Sequence, residues 1–160
     1  MTNIEKTRRY YDLVWNERKL ELIDDWVTDD FVGHYSAWPE PVRGPAGFRE
    51  FVETGLTALP DLRMTIEDAM AVDEKVISRV TMSGTHTGPM MGFAPTGRQV
   101  SVGYIAIEHY RGGRAFEEWV YSDDLALSRQ IGALPEPGSL GERIGQKLFA
   151  LRAARMRRKA

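Results

Sequence analysis

Two adjacent glycines, Gly112-Gly113, stand between segments that both alternate apolar and polar residues, Val100–Tyr110 and Ala115–Asp123. Adjacent glycines reach the positive φ angles of a tight hairpin turn without steric cost. The two segments are therefore read as paired antiparallel strands, and that pairing constrains everything around it. Two further alternating segments precede them, Leu62–Glu67 and Lys75–His86. Before Pro60 the period is helical. Ile4, Tyr11, Val14 and Trp15 predict an amphipathic helix over Thr2–Asn16, and Leu20, Leu22, Ile23 and Trp26 a second, short one. Gly44-Pro45 opens a third helix, with buried stripe Phe48, Phe51, Val52, Leu56 and Leu59, and Pro60 ends it. Helices first and a meander afterwards predict an α+β architecture, with the helices covering one face of a curved antiparallel sheet.

A chain of 160 residues favours one such domain. We expect it to occupy residues 1–132, followed over 133–160 by a linker, Pro135-Glu136-Pro137-Gly138, and a basic helix from Ser139 to Arg158 carrying Leu140, Ile144, Leu148 and Leu151. The net charge of −2 conceals an asymmetry: the last twenty residues carry +6 and the preceding chain −8. The basic end reads as the solvated face of a helix beside an acidic body, because no nucleic-acid-binding module accompanies it. The absence of cysteine excludes disulfides and thiol catalysis. No apolar run reaches membrane-spanning length and no leader-like segment opens the chain, so a cytoplasmic protein without a membrane span is expected.

Chemistry concentrates at the end of the last strand. Side chains alternate faces along a strand, so Trp119, Tyr121 and Asp123 point the same way. A carboxylate beside two aromatics is costly to bury unpaired, and an aromatic pocket with one proton acceptor resolves that conflict. The simpler alternative is that Asp123-Asp124 caps the short segment Leu125-Ala126-Leu127. Other pocket residues are expected from the first helix (Tyr11 and Trp15) and from an aromatic, Pro-punctuated loop over Phe31–Pro41 (His34, Tyr35 and Trp38). The Gly/Pro-rich loop Thr87–Gly97 adds Met90 and Phe93. The histidines are His34, His86 and His109. A plain two-residue turn sets His109 opposite Phe116, away from Asp123; a bulged hairpin sets it opposite Glu117, on the Asp123 face. A histidine beside Asp123 would give a base and a proton donor in one cavity. No histidine pair has the i, i+4 spacing of helical metal ligands, so no metal is expected. No nucleophile elbow, phosphate-cradling loop or dinucleotide fingerprint is present.

Taken together, Gly84-Thr85-His86-Thr87-Gly88, Gly92-Phe93-Ala94-Pro95-Thr96-Gly97-Arg98, Glu118-Trp119 followed by Asp123, and Gln130-Ile131-Gly132 resemble the SnoaL-like polyketide cyclases of the nuclear transport factor 2-like superfamily. His34 and Gly44-Pro45-Ala46-Gly47-Phe48 match the family's first half, and the likeness covers roughly residues 3–132. The resemblance implies a cone: three helices closing over a curved antiparallel sheet around an apolar cavity. It implies an intramolecular aldol ring closure, without metal or cofactor, on a polyketide-like small molecule. Asp123 would be the general base and His109 the accompanying histidine, with His86 or Tyr35 as further donors to the enolate. Departures from the family pattern are Tyr121, Ser122, Asp124 and the basic C-terminal helix. Epoxide hydrolases of the same cone need an Asp-Arg-Asp trio, and Arg79-Val80-Thr81 lacks the second carboxylate. The non-enzymatic alternative is a pocket for an apolar metabolite, or a dimerising accessory domain. A homodimer is expected in either case, through the sheet face left bare by the helices, where Val80, Met82 and Val102 would lie if Arg79 and Thr81 faced inward.

Overall fold

A reciprocal cap opens the first helix. The Thr2 hydroxyl accepts from the Glu5 amide at 3.2 Å, and the Glu5 carboxylate accepts from the Thr2 amide at 2.7 Å. The computed structural model describes residues 1–157. Helix α1 (Asn3–Tyr10) continues into a wider π-helical turn, Tyr11–Asn16, that turns Tyr11, Val14 and Trp15 all inward. Asn16 ties its end to the sheet by accepting from the Met64 amide at 2.8 Å and donating to the Met64 carbonyl at 3.0 Å. A 3₁₀ turn (Leu20–Leu22) and α2 (Ile23–Trp26) lead into β1 (Val27–Tyr35) and β2 (Val42–Arg43). Helix α3 (Gly44–Ala58) follows, then β3 (Arg63–Val72), β4 (Lys75–Thr85), β5 (Gln99–Arg111) and β6 (Arg114–Ser122), with α4 (Asp124–Gln130) and α5 (Leu140–Arg157) last.

The sheet runs β2-β1-β6-β5-β4-β3; every pair is antiparallel except β1 with β6. This is the expected α+β layout, with two amendments. Phe31–Pro41 is not all loop: Phe31 to Tyr35 belong to β1, which sets His34 beside Trp119 on β6. Alternating burial of Phe31 and Gly33 fits a strand once an edge is offered, and β6 offers one. The second amendment is the face. Val80 and Val102 are fully buried in the core and Met82 lines its cavity, so Arg79 and Thr81 take the outer face, the reverse of the sequence expectation. Alternation defines two faces but does not say which one the helices cover.

The core packs the inner sheet face against α1, the π turn and α3. Tyr10 stacks on Trp26 with ring centroids 4.2 Å apart, and Phe31 and Phe48 meet at 5.1 Å. Gly88 follows β4 so closely past the end of α3 that an added Cβ would lie 2.0 Å from the Thr57 carbonyl oxygen. Gly88→Ala must therefore push two backbone segments apart, and we expect it to cost at least about 2 kcal/mol, read as a lower midpoint in chemical denaturation. Helix α5 has no buried residue and is held near the body by the Arg129–Glu142 pair at 3.6 Å. Arg158, placed in this helix from the sequence, lies outside the described residues. No described helix is long and apolar enough to cross a membrane.

Candidate functional site

A cavity of about 190 Å³ lies between the inner sheet face and the helices. Tyr10, Tyr11 and Trp15 wall it from the first helix and Phe48 and Phe51 from α3. The sheet contributes Met64, Met82, Tyr104 and Val120, and the loop after β4 adds Met90 and Met91. One buried carboxyl group faces into it, Glu118, only 6% exposed.

The hairpin register puts Glu118 there. Gly112 and Gly113 both adopt positive φ, 58° and 82°, forming the two-residue turn. A bulge between His109 and Tyr110 then shifts the pairing so that His109 faces Glu117, Glu108 faces Glu118 and Ala106 faces Val120. From that point Glu118, Val120 and Ser122 point inward, while Glu117, Trp119 and Tyr121 point out. The Tyr35 hydroxyl donates to Glu118 Oε2 at 2.6 Å, and the Tyr35 ring stacks on Phe51 at 4.0 Å, which fixes the donor. Burial pushes the Glu118 carboxyl up to about 7, opposed by the Tyr35 hydrogen bond. Glu108, directly behind it and 1% exposed, is pushed up to about 8 by burial and by the Glu118 charge. The cavity tyrosines 10, 11, 35 and 104 are all driven well above the ordinary phenol range by burial. They are neutral hydroxyls at any physiological pH.

Near β6's end is a second polar group. Asp124 accepts from Ser122 Oγ at 2.5 Å and from Ser36 Oγ at 2.8 Å, and Ser122 and Asp124 both line the cavity. The exposed Trp38 and Met91 share that rim.

The residues expected from the sequence fall into two groups. Tyr11, Trp15, Tyr35, Trp38 and Met90 line the cavity. His34, His109, Trp119 and Tyr121 sit together on the outer face instead. The His34 ring stacks on Trp119 at 3.8 Å, and Glu117 lies 2.9 Å from His109 Nδ1 and 3.7 Å from His34 Nε2. Tyr121 is 57% exposed. His86 is fully buried beside the loop after β4, its Nδ1 3.0 Å from the Thr96 hydroxyl, and is not in the cavity wall. Phe93 is exposed on that loop.

Asp123 is also exposed, and its carboxylate accepts from the Ala126 amide at 2.9 Å as the N-cap of α4. The geometry is that of the simpler alternative, because the chain turns at Asp123 and the first-turn amides of α4 need an acceptor. Asp123→Ala should accordingly lower stability by about 1 kcal/mol, seen as a small fall in Tm, and Asp123→Asn by less. Glu118 was absent from the sequence expectations. Its only signal was being one of two adjacent glutamates on a strand, one of which must face the core.

The family model described as SnoaL-like polyketide cyclase matches residues 5–131. The chain belongs to the SnoaL-like polyketide cyclase family. Among solved structures, a SnoaL-like polyketide cyclase candidate from Jannaschia sp. CCS1 is similar in fold, with a TM-score of 0.76 at 22% identity, covering 83% of this chain and 93% of that one. AclR from Streptomyces galilaeus, described as a candidate hydroxylase, is 26% identical with a TM-score of 0.73, covering 97% of this chain and 98% of its own. IdmH from Streptomyces antibioticus, described as a candidate polyketide cyclase, is 25% identical with a TM-score of 0.72, over 82% of this chain and 99% of that one. No curated protein matches the sequence.

Proposed function

We propose that this protein catalyses an intramolecular aldol ring closure on a polyketide-like small molecule, with Glu118 as the proton-transfer group. The observation that carries this reading is one buried carboxyl group, tuned to near neutrality, in a mostly apolar cavity whose other carboxylate, Asp124, lies at the rim. A base whose pKa lies near the working pH combines a useful ionised fraction with useful basicity. Glu118 removes a proton from a carbon flanked by carbonyls. The resulting enolate carbon attacks a second carbonyl carbon of the same molecule, and the new alkoxide takes the proton back from the Glu118 carboxyl. One C–C bond forms, atoms balance, and none of these steps calls for a cofactor. The hydroxyls of Tyr11 and Tyr104, both in the cavity wall, are donors for the enolate oxygen. Apolar walls that fold a flexible chain until its reacting carbons touch contribute up to roughly 7–11 kcal/mol in well-oriented cases.

Asp123 and His109 are the residues the family resemblance favours for base and donor. Both lie outside the cavity wall, and this favours Glu118 for the role. Arg79 is exposed on the outer face, so the guanidinium that an epoxide-opening trio requires does not reach the cavity. The test is a panel of linear polyketide methyl esters followed by mass spectrometry and NMR. Ring closure gives a product of unchanged mass with one new carbon–carbon bond. Tight binding of the whole panel with no conversion would favour the non-catalytic, ligand-carrying alternative.

A homodimer belongs to the same reading. On the outer face Ile105 and Tyr121 are exposed opposite one another, and Ile107 pairs with Trp119 in the next row. An apolar face of this kind usually marks an interface, and a twofold pair is the commonest closed solution. Light scattering at micromolar concentration should give twice the mass of the chain, and Tyr121→Glu together with Ile105→Glu should halve it. A wild-type monomer would refute the dimer and leave the cavity argument intact.

A further inference from the structure

Glu108 has no part in the ring closure described above, yet it is the most deeply buried acid among the described residues, 1% exposed and absent from the cavity wall. It stands directly opposite Glu118 on the neighbouring antiparallel strand, both pointing to the inner face. Directly opposed residues have Cβ atoms about 5 Å apart. Two carboxylates cannot both be ionised at that separation in a dry interior without a cation, so such a pair holds at least one proton. No basic side chain among the described residues acts on either acid. The titratable groups facing the pair are Tyr10 and Tyr11 from the first helix, Tyr35 from β1, and Tyr104 and Tyr110 from β5, all kept neutral by burial. β4 presents Val76, Ser78 and Val80.

The two acids are held unequally. Glu118 has one donor, Tyr35, and opens on the cavity. One oxygen of Glu108 is gripped by the Thr7 hydroxyl at 2.5 Å and the Tyr110 hydroxyl at 3.3 Å, while its other oxygen has no partner among the described residues. A carboxylate left with a buried, unpartnered oxygen is costly, whereas a neutral acid there is tolerated.

We infer that Glu108 and Glu118 form one proton-sharing carboxyl pair, in which Glu108 retains a proton so that Glu118 is free to ionise and exchange its own with a ligand. Glu108 is thus a positioning residue: it touches no ligand and sets the protonation state of the group that does. The inference rests on Glu118 being the acid–base group of the proposed reaction, but its test needs no substrate. The direction of the pKa changes agrees, since burial and the charge on Glu118 both raise Glu108.

The experiment is a pH titration of the full chain, with glutamate labelled at the side-chain carboxyl carbon and followed by ¹³C NMR. The wild type should show two buried glutamates titrating in separate steps near neutral pH, the lower assigned to Glu118. In Glu118→Gln the Glu108 step should move down by at least about one pH unit, a tenfold change in proton affinity, because the neighbouring charge is gone. In Glu108→Gln, which mimics the neutral acid, the upper step should vanish and a single simple titration remain. If Glu108 titrates at the same pH with and without Glu118, or ionises before Glu118 does, the pair does not share a proton in this way and the inference fails. No turnover by the wild type, with an intact two-step titration, would count against the ring closure and not against the pair. Should Glu118→Gln not fold, the wild-type curves decide: each of the two glutamate resonances should show both steps, and two independent single-step curves would overturn the inference.

Discussion

Glu118→Gln is expected to lower turnover of a cyclisable substrate by at least about a hundredfold while leaving its binding nearly unchanged. The amide keeps the shape of the side chain and still accepts from the Tyr35 hydroxyl, so the cavity stays formed; what is lost is the site that takes the proton. Tyr35→Phe acts in the opposite sense on the same group. Removing its hydroxyl takes away the hydrogen bond that opposes burial, so Glu118 rises further and the pH at which the rate climbs rises with it. Asp123→Asn should leave the rate within a few-fold of wild type, because its carboxylate is occupied at the start of α4.

The second large effect is on stability against pH. Glu108 and Glu118 both have pKa values raised by folding, to about 8 and about 7. The native state therefore binds protons more tightly than the unfolded chain, whose glutamates titrate near about 4.3. Stability from this source is fully present below that value and is lost as pH rises through about 7 and about 8. Each tenfold difference in proton affinity between the two states corresponds to about 1.4 kcal/mol, and each kcal/mol moves Tm by roughly 2–4 °C at this size. Tm at pH 9 should thus lie more than about 10 °C below Tm at pH 5, and the double variant Glu108→Gln/Glu118→Gln should flatten that slope. Glu5, Asp30 and Asp61 act in a different window. Their hydrogen bonds hold them below the usual carboxylate range, so their contribution is present above it and lost only in acid. A wild-type Tm that rises from pH 5 to pH 9 would contradict the burial of the glutamate pair.

The sequence made the architecture legible because its signals are local. Gly112-Gly113, the change of period at Pro60 and the Gly44-Pro45 helix start each act within a few residues. The parallel pairing of β1 with β6 was not legible, since it joins residues about eighty-five positions apart and leaves no turn between them. The placement of the expected site residues differs from the structure at one step. Along β6 alternation separates Glu118 from Trp119 and Tyr121, and large aromatics beside an acid suggested that their face was the buried one. Those aromatics line the outer face instead, where Trp119 carries the ring of His34 and Tyr121 is exposed. A one-residue choice of face thus puts Glu118 in the cavity wall and leaves Asp123 and His109 outside it. Tyr11, Trp15 and Tyr35 lie in the cavity wall as expected, because the first helix and the end of β1 place them independently of that choice.

The most direct measurement is exchange of the carbon-bound proton in deuterated solvent, using a β-dicarbonyl methyl ester as the probe and NMR to follow incorporation. It reads proton abstraction alone and does not require that the probe cyclise. Wild type and Asp123→Asn should both accelerate exchange well above the solvent rate, with a dependence on pH centred near the Glu118 value of about 7, and Glu118→Gln should reduce it to the background. Exchange that survives in Glu118→Gln but is lost in a folded Asp123→Asn would contradict the assignment and place the base at the start of α4.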